Sequence, residues 1–252
     1  MEHSLYPDFV ARFYDMIYSR IRTGTDMEFY LDRISAVRNA VLEVGVGTGR
    51  LFTEARKRGA DMFGIDISPC MISVLKDKLP AEDRNRVWLQ DVLQLNTPMR
   101  FDLIIAPFRV FSHLLDTGDQ LSALSAVYKH LNPGGQFIFD LYVPDMHMLS
   151  KGITNMVDFY EEFQPGRYFS RTINMHADMV HQLSHVSMRY EWDENDGSHM
   201  VKEWEIPMRF YFHYEIEHLI ARSELSLMEI LGDFEGHSLD QDSKEFIIIC
   251  SK

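Results

Sequence analysis

The sequence predicts an α/β fold: a mostly parallel sheet with helices on both faces, plus an antiparallel β insertion. Three observations carry this. Short apolar, β-branched runs alternate with helix-like stretches from about residue 38 to 142, the pattern of successive βα units. The first run ends in three glycines, Gly45, Gly47 and Gly49, placed where a doubly wound sheet turns from strand to helix. Between about 151 and 210 the hydrophobic period changes to two, and the α/β pattern then resumes.

The elements follow in order. Residues 8–38 read as helical, because Phe13, Tyr14, Ile17 and Tyr18 recur at helical spacing. Thr25 is placed to cap a second helix from Asp26 to about Val37. Ala40 to Val44 is a buried strand, and Gly49 to Arg58 a helix stopped by Gly59. Met62 to Ile67 is the second strand. Ser68 and Pro69 open the next helix as N-cap and first helical residue. Further strands are expected at 86–89 and 101–106, a helix at 118–130, a turn over Leu131-Asn132-Pro133-Gly134-Gly135, and a fifth strand at 136–142. The insertion offers strands at 168–175, 183–192 and 202–211, the last two joined at Asp193-Glu194-Asn195-Asp196-Gly197. A helix at 214–222 and strands at 225–233 and 245–251 close the chain.

Composition narrows the partners. With 252 residues, 46% of them apolar, the chain can bury one α/β domain and an insertion. Its net charge of −13 argues against a nucleic-acid partner, since that affinity comes from Lys and Arg meeting phosphates. Arg20, Arg22 and Arg56-Lys57-Arg58 are only small basic clusters, the last of which reads as a solvated helix face. Two cysteines, Cys70 and Cys250, make neither a disulfide framework nor a metal pair, and the eleven histidines are scattered, so no metal is expected. Met1 to Leu5 lacks the basic-then-apolar pattern of a signal peptide, and no apolar run approaches the ~20 residues that span a bilayer. A cytoplasmic protein with no membrane partner is expected.

The glycine loop places a ligand against free N–H groups at a helix N-terminus. Its Gly-x-Gly-x-Gly spacing is one residue shorter than the dinucleotide fingerprint, which disfavours a nicotinamide cofactor. Asp66 ends the second strand, where a carboxylate can accept from both hydroxyls of a ribose. Asp91 follows the third, where it can accept from an adenine amino group. Acids at the carboxyl ends of neighbouring strands turn a glycine loop into a nucleoside site.

These segments carry a specific resemblance. Val41-Leu42-Glu43-Val44-Gly45-Val46-Gly47-Thr48-Gly49 resembles motif I of the class I methyltransferases that depend on S-adenosylmethionine (SAM). Gly64-Ile65-Asp66-Ile67-Ser68 resembles their ribose-binding strand end, and Gln90-Asp91-Val92 their adenine contact. Phe101-Asp102-Leu103-Ile104-Ile105 resembles motif IV, and Leu131 to Gly135 the turn before their fifth strand. The resemblance implies a Rossmann-like, seven-stranded, mostly parallel sheet whose last strand is antiparallel. It implies SAM as cofactor, S-adenosylhomocysteine as product, and Glu43, Gly45, Gly47, Gly49, Asp66, Ile67, Asp91, Val92 and Ala106 as cofactor-binding residues. It divides the chain into an N-terminal helical cap (1–38), a SAM-binding core (39–150), a β insertion on the substrate side (151–210) and a closing helix and two strands (211–252).

Methyl transfer needs the acceptor aligned and, for some acceptors, a proton removed. His113, just after the fourth strand, and Tyr14, on the first helix, resemble the His and Tyr near the acceptor amine in sugar-nucleotide N-methyltransferases. That subgroup also carries a comparable insertion. His113 with an ordinary pKa near ~6.5 would suit a general base; a structural histidine capping the following loop is the other reading. Tyr14 reads equally as core packing, and Arg22 as a contact for the cofactor carboxylate or an exposed helix end. The expected acceptor is a small molecule, with nitrogen favoured over oxygen, and the insertion is a possible homodimer surface. Ala106-Pro107-Phe108-Arg109 stands where adenine-N6 and glutamine methyltransferases carry Asn-Pro-Pro-Tyr, which disfavours those substrates. A protein or RNA methyltransferase and a non-catalytic SAM-binding protein are the alternatives.

Overall fold

A computed structural model describes residues 6–21 and 24–252. The chain forms two compact units. One holds the residues through Val143 together with Tyr211–Lys252; the other is Pro144–Phe210.

The larger unit is built on β1 (Val41–Val44), β2 (Met62–Asp66), β3 (Val87–Leu89), β4 (Phe101–Ala106), β5 (Leu131–Tyr142) and, after the four strands of the insertion, β10 (Ser226–Leu231) and β11 (Glu245–Ser251). They form one sheet in the order β10-β11-β5-β4-β1-β2-β3. β1 pairs in parallel with both β2 and β4, whereas β11 runs antiparallel between β5 and β10. The chain leaves β1 for β2 and β3 on one side, then crosses to β4 on the other. The topological switch therefore lies at the β1–β4 boundary, the position where such sheets open a crevice outside the carboxyl ends of their strands.

Side-chain alternation sorts the core onto two faces. Leu42, Ile104, Phe137 and Phe139 pack with α5 (Thr117–His130) and α7 (His213–Ala221). Val41, Leu103, Ile105 and Ile138 pack with α2 (Thr25–Ser35), α3 (Arg50–Lys57) and α4 (Pro69–Lys78). Both strand faces are buried, which is why β1 reads as an apolar run interrupted only by Glu43. Each fully buried Leu, Ile or Phe contributes roughly 1.5–3 kcal/mol of transfer free energy. Ser68 caps α4 by accepting from Met71 N, with Pro69 in the first turn, as the sequence predicts.

Two local expectations change. Thr25 is the first residue of α2 rather than its cap; Gly24, at φ 89°, takes the cap position with no side-chain bond. The expected turn at 131–135 lies within β5: Leu131 pairs with Phe101 and Gln136 with Leu103, so the intervening residues bulge out of the ladder.

The smaller unit holds α6 (Met146–Lys151) and a four-stranded antiparallel meander of β6 (Ile153–Gln164), β7 (Arg167–Asp178), β8 (Leu183–Asp193) and β9 (His199–Arg209). Three of these strands were expected; β6 was not. Its register shifts three times, Asn155 sits at φ 48°, and most of its side chains are exposed, so its sequence lacks an apolar alternation. The turn between β8 and β9 closes on Gly197 at φ 82°, as its composition predicts. Within this sheet Arg171, 5% exposed, makes a two-pronged ion pair with Asp158 at 2.5 and 3.0 Å.

Candidate functional site

The site begins at the carboxyl end of β1. Its three glycines do different work. A Cβ on Gly45 would lie 2.4 Å from a Val110 methyl, and one on Gly49 2.1 Å from a Leu75 methyl, so both are required by packing. Gly47, at φ 55°, is different: a Cβ there would meet nothing nearer than 3.9 Å. Its exposed side is open space above the loop, a cradle for a ligand. Gly64, on β2, is a fourth participant; a Cβ there would sit 2.8 Å from Val46, forcing the loop up.

Asp66 ties the loop to β2. One of its oxygens accepts from Gly47 N at 2.8 Å, the other from Ser68 N at 2.7 Å. With a further backbone hydrogen bond from Ile67, the roughly four lone-pair sites of the carboxylate are still not all used, which leaves acceptor capacity for a ribose hydroxyl. Burial pushes its carboxyl up, and the backbone N–H groups of Ser68 and Gly47 pull it back. The backbone also links Asp66 to the next strand end, since Gln90 N donates to Asp66 O at 3.0 Å. Asp91, beside it, caps a short turn over Val92–Gln94 through Leu93 N. Ile67 is 40% exposed, an apolar surface between the two acids. Val92 is half-buried, and Ala106, at the end of β4, is buried.

Glu43, two residues before Gly45, is buried with one oxygen lacking a hydrogen-bond partner. Desolvation raises its carboxyl well above the usual range, opposed by the nearby Arg50 guanidinium. A buried acceptor without a donor is destabilising unless a ligand group satisfies it. The aminoacyl ammonium of SAM is such a group. Diol acceptor, open glycine and orphan carboxylate thus fit a SAM molecule.

The segment after β4 turns sharply. Phe108 and Arg109 both adopt φ 63°, an uncommon pair for non-glycine residues. A 3-10 turn, Val110–His113, follows and sets Val110 against Gly45. His113 accepts from or donates to Tyr6 Oη at 3.3 Å, and the two rings meet edge to face at 5.9 Å. Desolvation lowers the His113 imidazole to about 4. Tyr6 also meets Tyr14 edge to face at 6.2 Å, and Tyr14 packs on Tyr18 at 4.3 Å. Tyr14 and His113, far apart in sequence, are thus joined through Tyr6.

The helix carrying Tyr14, α1 (Asp8–Ile21), is fastened to the glycine loop. Thr48 Oγ1 donates to Asp15 at 2.6 Å, and Lys78 bridges Asp15 and the Thr48 carbonyl. Ser68 Oγ donates to the Tyr6 carbonyl at 3.0 Å. Arg50 pairs with Asp26 at 2.9 Å and lies 3.9 Å over the Phe108 ring. Asp140, at the end of β5, accepts from Tyr30, Phe108 N and Arg109 N. Sequence reading gave no role to Tyr6, Asp15, Asp26, Arg50 and Asp140, and quoted Gly64 only as part of a motif. Only Gly64, a glycine inside a strand, carried a local signal. Arg22 and residues 1–5 lie outside the described residues. Among the described residues, Asp233, Glu235 and His237 bring ligand-type atoms within 4.8 Å of one another on an exposed loop. No helix among them is long and apolar enough to cross a membrane.

Residues 41–135 match a family model described as a methyltransferase domain. An uncharacterised methyltransferase of Bacillus mycoides is 36% identical over 100 residues, which are 39% of this chain and 45% of that protein. The match thus spans under half the length of that relative. The whole fold is similar to that of a SAM-dependent methyltransferase from Clostridium acetobutylicum, with TM-score 0.76, 19% identity and coverage of 96% of this chain and 97% of that one. It is also similar to the sugar N-methyltransferase KedS8 from a Streptoalloteichus species, with TM-score 0.74, 18% identity and coverage of 94% and 92%. Residues 41–135 are therefore a methyltransferase domain, and the chain that carries them has the fold of the class I SAM-dependent methyltransferases.

Proposed function

We propose that the chain binds SAM across the Gly45–Gly49 loop and transfers its methyl group to a small-molecule amine. The observation that carries this reading is Asp66, held by Gly47 N and Ser68 N with acceptor capacity to spare, beside an open Gly47. Asp66 takes the ribose hydroxyls, Asp91 the adenine amino group, and Ile67 and Val92 flank the base. Glu43 takes the ammonium, while Gly45, Gly49 and Ala106 shape the crevice.

When bound, SAM supplies a methyl already activated by its sulfonium charge. The chain has then to align a nucleophile in line with it. His113, lowered to about 4, is neutral across physiological pH. In this reading it accepts a hydrogen bond from the N–H of a neutral amine, turning the nitrogen lone pair toward the methyl. Tyr14, joined to His113 through Tyr6, supplies a second polar group. The amine nitrogen gains the methyl, the carbon–sulfur bond breaks, and the extra proton on the product leaves to water. KedS8, a sugar N-methyltransferase of the same fold, supports nitrogen as the acceptor atom.

Calorimetric titration with SAM is expected to show binding, reduced in Asp66→Ala. Label from methyl-labelled SAM is then expected in a small-molecule amine. No binding at about 1 mM SAM, where even a −4 kcal/mol interaction half-saturates, refutes the reading. Label recovered in protein or RNA overturns the acceptor class. The stacked Tyr160 and Tyr168 on the insertion's sheet, 67% and 43% exposed, support a homodimer through this sheet. Sedimentation as a monomer at high concentration would remove that part.

A further inference from the structure

We propose that Tyr30 and Asp140 are positioning residues for this site: together they hold the turn after β4 that aims Val110 at the glycine loop and His113 at Tyr6. The inference rests on the SAM-binding reading above. Neither residue is among those assigned to cofactor or acceptor.

Asp140 is 1% exposed, so its carboxylate must be satisfied by the protein. Tyr30 Oη donates to its Oδ1 at 2.6 Å, and Phe108 N to the same oxygen at 2.8 Å. Arg109 N donates to Oδ2 at 3.1 Å. The two N–H groups belong to the two consecutive residues at φ 63°. Left-handed backbone in non-glycine residues persists where the surroundings over-determine it. Here one buried carboxylate grips both residues from beneath. Side chains hold the same turn from outside: Arg50 lies over Phe108, and Arg109 pairs with Glu245 at 2.9 Å.

Tyr30 fixes the carboxylate itself. It is fully buried on α2, with its ring edge to face with Phe108 at 6.4 Å. Its hydroxyl proton is held tightly, because burial and the neighbouring Asp140 charge raise it well above the ordinary tyrosine range. The chain of contacts runs from Tyr30 through Asp140 to Phe108 and Arg109, then to Val110 against Gly45 and His113 against Tyr6. One end of the turn sets the roof of the cofactor loop; the other sets the acceptor side. A change at Asp140 therefore alters both without touching either.

The test uses the full chain without ligand and then with SAM. The His113 ring proton, assigned by its loss in His113→Gln, is followed by NMR through a pH titration. SAM affinity is measured by calorimetry. In the wild type His113 titrates at about 4. Tyr30→Phe removes one donor, and Asp140→Asn sets an amide N–H against a backbone N–H. Both are expected to loosen the turn, raise the His113 titration toward ~6.5 as water enters, and weaken SAM about tenfold, the worth of one charge-assisted hydrogen bond. If the variants lower Tm but leave the His113 titration and SAM affinity within twofold of wild type, the pair is merely structural and the proposal is overturned. A wild-type His113 already titrating near ~6.5 overturns it too. If Asp140→Asn does not fold, Tyr30→Phe decides alone. If the wild type binds no SAM, the proposed function falls, and the titration still decides whether the pair holds the turn.

Discussion

Replacing Gly47 with alanine separates backbone strain from ligand exclusion. At φ 55° an L-residue costs about 1–2 kcal/mol in the folded chain. The new Cβ meets no protein atom nearer than 3.9 Å, so no packing cost is added. For a chain of this size such a loss lowers Tm by a few degrees, roughly 2–8 °C. The methyl group would stand in the space assigned to SAM. Overpacking of up to about 3 kcal/mol corresponds to roughly a hundredfold weaker binding. Gly59→Ala is the matched control. Gly59 has φ 86° and an equally open Cβ, but it ends α3 away from the loop. Thermal unfolding and SAM titration of both variants are the assay. Similar losses in Tm with a large affinity loss in Gly47→Ala alone are expected. Wild-type affinity in Gly47→Ala, or equal weakening in Gly59→Ala, refutes the placement of the ligand.

Two further predictions concern stability. The folded chain keeps His113 neutral down to about 4, while an unfolded histidine takes its proton near ~6.5. Its contribution is therefore complete above ~6.5 and is lost as pH falls toward 4, amounting to about 2 kcal/mol by pH 5. Glu43, with a raised carboxyl, acts in the opposite sense, so the comparison must be made against His113→Gln. Urea unfolding at pH 7.5 and pH 5 should show a smaller acid loss in that variant; equal losses would refute a buried neutral His113. In the insertion, Asp158→Ala removes the carboxylate that accepts both prongs of the buried Arg171 guanidinium, a loss of up to about 3–5 kcal/mol. Trp192 and Trp204 report on this sheet by fluorescence, and a loss under about 1 kcal/mol would show the pair to be dispensable.

The core strands were legible because each carries its own apolar run and is bounded by glycine, proline or a capping residue. Glycine spacing and strand-end acids made the proposed nucleoside site legible for the same reason, since each motif is local. β6 was not, because an exposed edge strand with bulges has no periodicity to read. The 131–135 segment was read as a turn from its composition, yet Leu131 still pairs with Phe101 before the bulge. Tyr14 and His113 stood out through their places on the first helix and after the fourth strand, together with resemblance, and Tyr6, which joins them, carried no signal at all.

By itself the sequence determined the alternation of strands and helices, the glycine loop, and the acids at two strand ends, all set by residues within a few positions of one another. Only the tertiary structure decided which glycine faces open space, that Asp15 and Lys78 fasten α1 to Thr48, and that Asp140 holds a turn thirty-two positions earlier in the chain. It also moved His113 from an ordinary titration to about 4. The physical reason is the same in each case: hydrogen bonds, desolvation and close contact depend on distance in space, and these partners come together only when the sheet is assembled.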